Sequence, residues 1–242
     1  MCMFNPVEGE IFCIDKPLGW SSFDAVKKIR GRLLRRLHTK KLKVGHAGTL
    51  DPLATGVLII CTGHATKRID ELQTGVKEYI ADMMLGATTP SFDRETEVDA
   101  TYPWQHITRE MVEQTLQSRF VGRIEQVPPA YSACNVDGHR AYKIARKGRE
   151  VKLKAKVLEI NEIELLDFNP PSMRIRVVCG RGTYIRALAR DIGEALSSGA
   201  YLTALRRTRV GNFKVEDCRS VEDMASYIDD APMVIPDVEK PE

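Results

Sequence analysis

The stretch GHAGTLDPLATGVLIIC, residues 45–61, decides how the rest of the chain is read. Its first half is a loop punctuated by glycines. Its end, residues 57–61, is an apolar run of the kind that forms a buried strand. Pro52 withdraws one backbone donor and pushes Asp51 out of the helical region. Gly45, Gly48 and Gly56 let the chain turn tightly or let another backbone come close. Asp51 is the only acid between Asp24 and Asp70, and residues 25–50 hold nine Lys or Arg and no Asp or Glu. Nearby cations favour the charged form of a carboxylate, so Asp51 is expected to stay ionised. Read alone, the stretch is an Asp-Pro turn leading into a core strand.

Outward from that stretch, the pattern alternates between strands and helices. Residues 11–15 read as a short strand. Ser21 or Ser22 can cap a helix whose Val26, Ile29, Leu33 and Leu37 recur at helical spacing, with Lys27, Lys28, Arg30, Arg35 and Arg36 mostly off that stripe. Residues 38–43 form a polar, cationic connection. After 57–61 come a short helix near 66–73, a strand over 78–85 carrying Tyr79, and a polar, turn-rich segment over 88–99. Thr108 caps a helix with an apolar face of Met111, Val112, Leu116 and Phe120. Pro128-Pro129 breaks the chain, Asp137-Gly138 marks a turn, and 140–147 reads as a basic helix. Residues 151–168 have strand patterning. In 173–179, Arg174 and Arg176 alternate with Ile175 and Val177, the period of a half-buried strand. Gly180-Arg181-Gly182 turns into a helix over 183–197, with Gly199 as its stop, and 201–210 reads as a further strand. With no repeat, low-complexity segment or linker, one continuous α+β domain over 1–242 is expected, its core at 11–210 and an acidic segment at 215–242.

Composition is that of a globular protein, 43% hydrophobic and 29% charged. The longest apolar run, 57–61, is far too short to cross a membrane, and the N-terminus lacks a signal core. The cytoplasm is the expected compartment. The six cysteines have no C-x-x-C pair, and the five histidines do not cluster, so no zinc site is expected. Cys13, Cys61 and Cys179 lie in apolar runs, and reduced, buried thiols are the expectation. Net charge is only +3, but it is uneven. Basic stretches lie at 27–43, 140–156 and 174–190, followed by Arg206, Arg207 and Arg209, with an acidic tail from Glu216. The distribution, more than the total, points to nucleic acid.

The run GHAGTLDPLATGVL, preceded by DKPLGWSSFD at 15–24, resembles the TruB family of tRNA pseudouridine synthases. Lys77-Glu78-Tyr79, PPAYSA at 128–133 and GRGTYIR at 180–186 follow in the family's order, so the likeness covers about 11–209. The resemblance implies the pseudouridine synthase fold, a mixed sheet with helices and loops around a central cleft. It implies conversion of uridine 55 in the TΨC loop of tRNA to pseudouridine, with no cofactor and no metal. It makes Asp51 the essential catalytic residue, Arg186 the arginine that pairs with it, and Tyr79 the aromatic that stacks on the target base and has been considered for proton transfer. His46 takes the space of the flipped nucleotide, and Tyr184 walls the pocket. Leu205 lines the uracil site near the phosphate-binding arginines Arg206 and Arg207. Lys16 and Asp24 are structural supports. The chain stops near where many relatives begin a PUA domain, which is expected to be missing. The expected partner is the T arm of tRNA, with no membrane, no guide RNA and a monomeric enzyme. A guide-RNA-dependent synthase and a non-catalytic tRNA-binding or folding module remain the alternatives.

Overall fold

The computed structural model describes residues 3–132, 134–136, 138–149, 151 and 153–235. The chain divides into two compact units, residues 1–75 with 207–242, and residues 76–206. The first begins with β1 (Ile11–Lys16), α1 (Ser22–Arg36), β2 (Val44–Ala47), β3 (Ala54–Thr62) and α2 (Ile69–Thr74). The second holds β4 (Lys77–Leu85), the short pair β5 (Ala87–Thr88) and β6 (Ala100–Thr101), α3 (Arg109–Arg119) and β7 (Gly122–Gln126). It continues with β8 (Asn135–Val136), β9 (His139–Arg140), α4 (Ala141–Ala145), β10 (Lys156–Asn169), β11 (Ser172–Cys179), α5 (Ile185–Ala195) and β12 (Ala200–Val210). Residues 207–210 of β12 belong to the first unit, which ends with β13 (Phe213–Lys214), β14 (Arg219–Ser220) and α6 (Val221–Asp230). The fold class is α+β with a mixed sheet, as the alternation of patterns in the sequence required.

In the first unit β1 is flanked by β3, antiparallel with Ile14 opposite Leu58, and by β14, parallel with Ile14 opposite Arg219. Strand β2 adds to β3, with His46 opposite Ile60. Residues 57–61 of strand β3 are all apolar because both faces of the strand are covered. Leu58 and Ile60 join Ile14, Val26, Ile29 and Leu33, together with Met224 and Ile228 of α6, in one core. Val57, Ile59 and Cys61 pack on the other side with Ala47, Ala65 and Val210. Burial on that scale contributes roughly 1.5–3 kcal/mol per large aliphatic side chain. The predicted stripe Val26, Ile29, Leu33 and Leu37 is buried at 5% exposure or less. Ser21 is the cap: its Oγ accepts from Asp24 N–H, and Asp24 Oδ2 accepts from Ser21 N–H, a complete capping box.

The second unit is an antiparallel ladder in the order β4, β11, β10, β7. Strand β4 alternates strictly, with Tyr79, Ala81, Met83 and Leu85 buried. Its opposite face carries Glu78 and Asp82, which pair with the alternating arginines of β11: Arg176 with Glu78 at 2.9 Å, Arg174 with Asp82 at 2.5 Å. The start of the third basic stretch is thereby neutralised, a cross-strand pairing that charge counting along the chain does not see.

Other expectations change in detail. Met111 stands 38% exposed, whereas Val112, Leu116 and Phe120 face inward. The basic helix shrinks to α4, and β10 starts at Lys156 rather than at 151. Asp137 of the predicted turn and residues 236–242 of the acidic tail lie outside the described residues. The earlier part of that tail is ordered: α6 is capped by Ser220, carries Glu222 and Asp223 in its first turn, and packs on α1. The expectation of reduced thiols fails for Cys13, which is bonded to Cys218, 4.8 Å away between α-carbons. The parallel pairing of β1 with β14 brings them together across 205 residues of sequence. Cys61 and Cys179 remain free, and burial pushes both thiols up to about 11.

Candidate active site

Asp51 sits between β2 and β3, in a loop whose backbone is tied on both sides. Ser22, the first residue of α1, is 2% exposed; its hydroxyl donates to Leu50 O at 3.1 Å and accepts from Leu50 N–H at 2.8 Å. Beyond Asp51, the N–H of Gly19 donates to Pro52 O at 2.8 Å, and that of Ala54 to Asp51 O at 3.0 Å. The residues flanking the carboxylate are thus fixed by the start of α1 and by the turn that precedes it.

Arg207 supports the same loop. It is 1% exposed, and its guanidinium donates from Nε to Val57 O at 2.8 Å and from Nη2 to Gly48 O at 3.0 Å. A side chain at position 56 would put its β-carbon 2.1 Å from Arg207 O, and Gly56 has φ +103°, so only glycine is accommodated. A guanidinium so enclosed is spent on backbone carbonyls, and the place of Arg207 is inside the unit instead of on a phosphate-facing surface. Lys16 is 0% exposed, with Nζ donating to Pro17 O at 2.9 Å and Trp20 O at 2.6 Å. Burial lowers its pKa to about 8, with the Arg207 charge adding to the fall and the Asp51 carboxylate opposing it. His46 on β2 is half-buried, and its Nδ1 is buried without a hydrogen-bond partner among the described residues. Burial first, and the Arg207 charge second, lower its pKa and favour the neutral ring. Asp24 is exposed, and hydrogen bonds from Ser21 in the capping box lower its pKa.

The second unit places Arg186 in the first turn of α5 at 4% exposure. It donates from Nη1 to Ser91 O at 3.0 Å and from Nη2 to Tyr131 O at 2.7 Å, with Nε 3.6 Å from Asp93 Oδ2. Asp93 is itself 5% exposed and accepts from Ser91 Oγ at 2.6 Å and from Glu95 N–H at 2.9 Å. This buried pair is locked by hydrogen bonds on both partners, the condition under which a buried ion pair is tolerable. Tyr184, the residue before α5, receives its backbone placement from Gln126 Oε1 at 2.9 Å, and its phenol lies 3.4 Å from Cys134 Sγ. Burial raises the pKa of that phenol, so it stays protonated. Tyr79 is 7% exposed on β4, opposite Val177. Leu205 and Arg206 are half-buried neighbours on β12.

The predicted residues therefore fall into two groups. His46, Asp51, Lys16, Asp24 and Arg207 are built by the first unit; Arg186, Tyr184, Tyr79, Leu205 and Arg206 by the second. Reading the sequence missed Ser22 as the loop anchor, and Ser91 and Asp93 as supports of Arg186. The alternation Ser91-x-Asp93-x-Glu95 after Pro90 was their only local signal.

Two family models match the chain: the N-terminal domain of the TruB family pseudouridylate synthases over residues 35–185, and the tRNA pseudouridylate synthase B C-terminal domain over 186–233. Both describe pseudouridylate synthases, a class consistent with the mixed sheet. The chain belongs to the TruB family. A tRNA pseudouridine synthase B of Phocaeicola vulgatus is 67% identical over 225 residues, covering 93% of this chain and 95% of that protein. One from Mycobacterium bovis is 46% identical, covering 89% of this chain and 71% of the relative. Among solved structures, a Cbf5-Nop10-Gar1 complex matches with TM-score 0.69 at 30% identity, over 92% of this chain and 55% of the matched one. An H/ACA RNP bound to a substrate RNA containing 2'-deoxyuridine matches at TM-score 0.66 and 28% identity.

Proposed function

We propose that this protein isomerises uridine 55 in the TΨC loop of tRNA to pseudouridine. The observation that carries the reading is the near full-length likeness, at 67% identity, to a tRNA pseudouridine synthase B. The reaction breaks the N1–C1' bond of the uridine, turns the base and forms a C5–C1' bond, with the C5 proton lost and N1 protonated. Atoms and electrons balance within the substrate, so the chemistry requires no cofactor.

In this reading Asp51 is the carboxylate that adds to or stabilises the electron-poor centre as the glycosidic bond breaks. Its tethered loop holds it ready for a nucleotide flipped out of the T loop. Arg186 is the guanidinium that serves this carboxylate. Tyr79 stacks on the uracil and is the candidate for proton transfer. His46 fills the space that the flipped nucleotide leaves, Tyr184 and Leu205 line the base pocket, and Arg206 takes phosphate. Arg207, Lys16 and Asp24 act as positioning residues: Arg207 and Lys16 bond to the backbone around the Asp51 loop, and Asp24 completes the capping box of the helix that anchors it. The enzyme acts as a monomer, in the cytoplasm, on the T arm and without a guide. No helix among the described residues is long and apolar enough to cross a membrane.

The test is incubation of the purified chain with an unmodified tRNA transcript, no guide RNA and no added cofactor, followed by mapping of pseudouridine at position 55. Asp51→Asn is expected to keep the fold and most of the RNA affinity and to abolish product. Product from a guide-free wild type with none from the Asn variant supports the reading. A wild type that is active only with a guide, or a multiple-turnover Asn variant, refutes it.

A further inference from the structure

On α1 the residues Phe23, Lys27, Gly31 and Arg35 follow one another at steps of four, so they stand in one row along the helix. All of them are exposed, Phe23 at 69%. Beside the row is an open hollow of about 570 Å³, bordered by Trp20, Lys27, Lys28, Gly31, Arg32 and Arg35 among others. The other cations of this helix are committed. Arg32 pairs with Asp229 at 2.7 Å, Arg36 donates to Ala231 O at 2.7 Å, and Arg30 donates to Leu42 O at 3.1 Å. The side chains of Lys27, Lys28 and Arg35 make no hydrogen bond or ion pair with the described residues, although the Lys27 charge bears on Asp24, which also borders the hollow.

Gly31 is the second, independent observation. A glycine in mid-helix costs stability relative to alanine. A β-carbon built there would meet nothing within 4 Å, so no packing inside the protein demands the glycine. What it leaves is a gap in the row between Lys27 and Arg35, where an external chain can approach the helix backbone.

We propose that this face of α1 is a track for an RNA phosphodiester backbone, with phosphates on Lys27, Lys28 and Arg35, the strand passing close over Gly31, and a base or ribose against Trp20 or Phe23. Unspent cations next to an exposed aromatic match the chemistry of a polyanion with flat bases. The inference rests on the reading of the protein as a tRNA-modifying enzyme, and it adds a contact built by none of the residues assigned to catalysis.

The full chain is titrated with an unmodified tRNA transcript and with a T-arm hairpin over a range of salt concentrations. Lys27→Glu, Lys28→Glu and Arg35→Glu together are expected to weaken RNA binding by about tenfold or more near 0.1 M salt and to lower the slope of log affinity against log salt by about two. Gly31→Leu keeps every charge and fills the gap. It is expected to weaken binding by roughly fivefold while raising the midpoint of thermal unfolding, because leucine is the better helix former. A structural role alone would not produce those opposite shifts. Wild-type affinity and salt slope in both variants overturn the proposal. A wild type that binds RNA through α1 but forms no pseudouridine overturns the catalytic reading and leaves this surface standing.

Discussion

Replacing Ser22 by alanine tests how the Asp51 loop is held. The side chain is 2% exposed and its one hydroxyl both donates to and accepts from the backbone of Leu50, itself 4% exposed. Alanine deletes both bonds and leaves a buried N–H and a buried C=O without this partner. A neutral hydrogen bond contributes about 1 kcal/mol net, and an orphaned buried polar group costs about 1–3 kcal/mol. The two groups adjoin, so one water can satisfy part of both, and the expected loss is about 2–4 kcal/mol. In urea titrations of the full chain this appears as a lower midpoint at unchanged slope. Asp51 is the next residue, so the single-turnover rate of pseudouridine formation at saturating RNA should fall by roughly tenfold to a hundredfold, with RNA affinity little changed. A stability loss under about 0.5 kcal/mol, with a wild-type rate, would show that α1 does not position the loop.

Three further outcomes follow from the same structure. Arg186→Lys keeps one charge but cannot reach Ser91 O, Tyr131 O and Asp93 together as the fork does; most activity should vanish and stability should fall by about 2–4 kcal/mol, and near-normal turnover in the same pseudouridine assay would remove Arg186 from the site. Lys16 is held at about 8 against its ordinary 10.5. Between those values the folded lysine is neutral while the unfolded one still binds a proton, so wild-type stability should rise from pH 8 to 10.5 relative to Lys16→Met. The gap corresponds to roughly 3 kcal/mol at full weight, which screening reduces to about 1–2 kcal/mol; parallel pH–stability curves for the two proteins would refute it. A T-arm hairpin should be processed within about tenfold of full tRNA in specificity, since unstacked loop bases carry the recognition, and an inert hairpin beside a modified tRNA would place recognition beyond the T arm.

The sequence by itself determined the elements that local chemistry specifies. The apolar stripe of α1, a serine cap at 21 or 22, the apolar run 57–61 of β3 and the alternation of β11 are written within one or two turns of chain, because helix and strand periods act at that range. The Asp51 loop was legible for the same reason: its glycines, its proline and its isolation among cations are neighbours in sequence. What needed the tertiary structure were pairings between distant segments. Arg207 looked like an exposed phosphate ligand, yet it is enclosed under a loop about 150 residues away, because the passage of β12 past Gly56 brings it there. Arg174 and Arg176 looked like part of a basic stretch, and the register of β4 against β11 sets Asp82 opposite Arg174 and Glu78 diagonally within reach of Arg176. Cys13 met Cys218 only through the parallel pairing of β1 with β14. Asp93 became the support of Arg186 only when the segment before α3 folded back on α5. A side chain's type and its neighbours set its intrinsic preference, but desolvation and the choice of partner depend on what long-range register brings against it, and no local pattern encodes that.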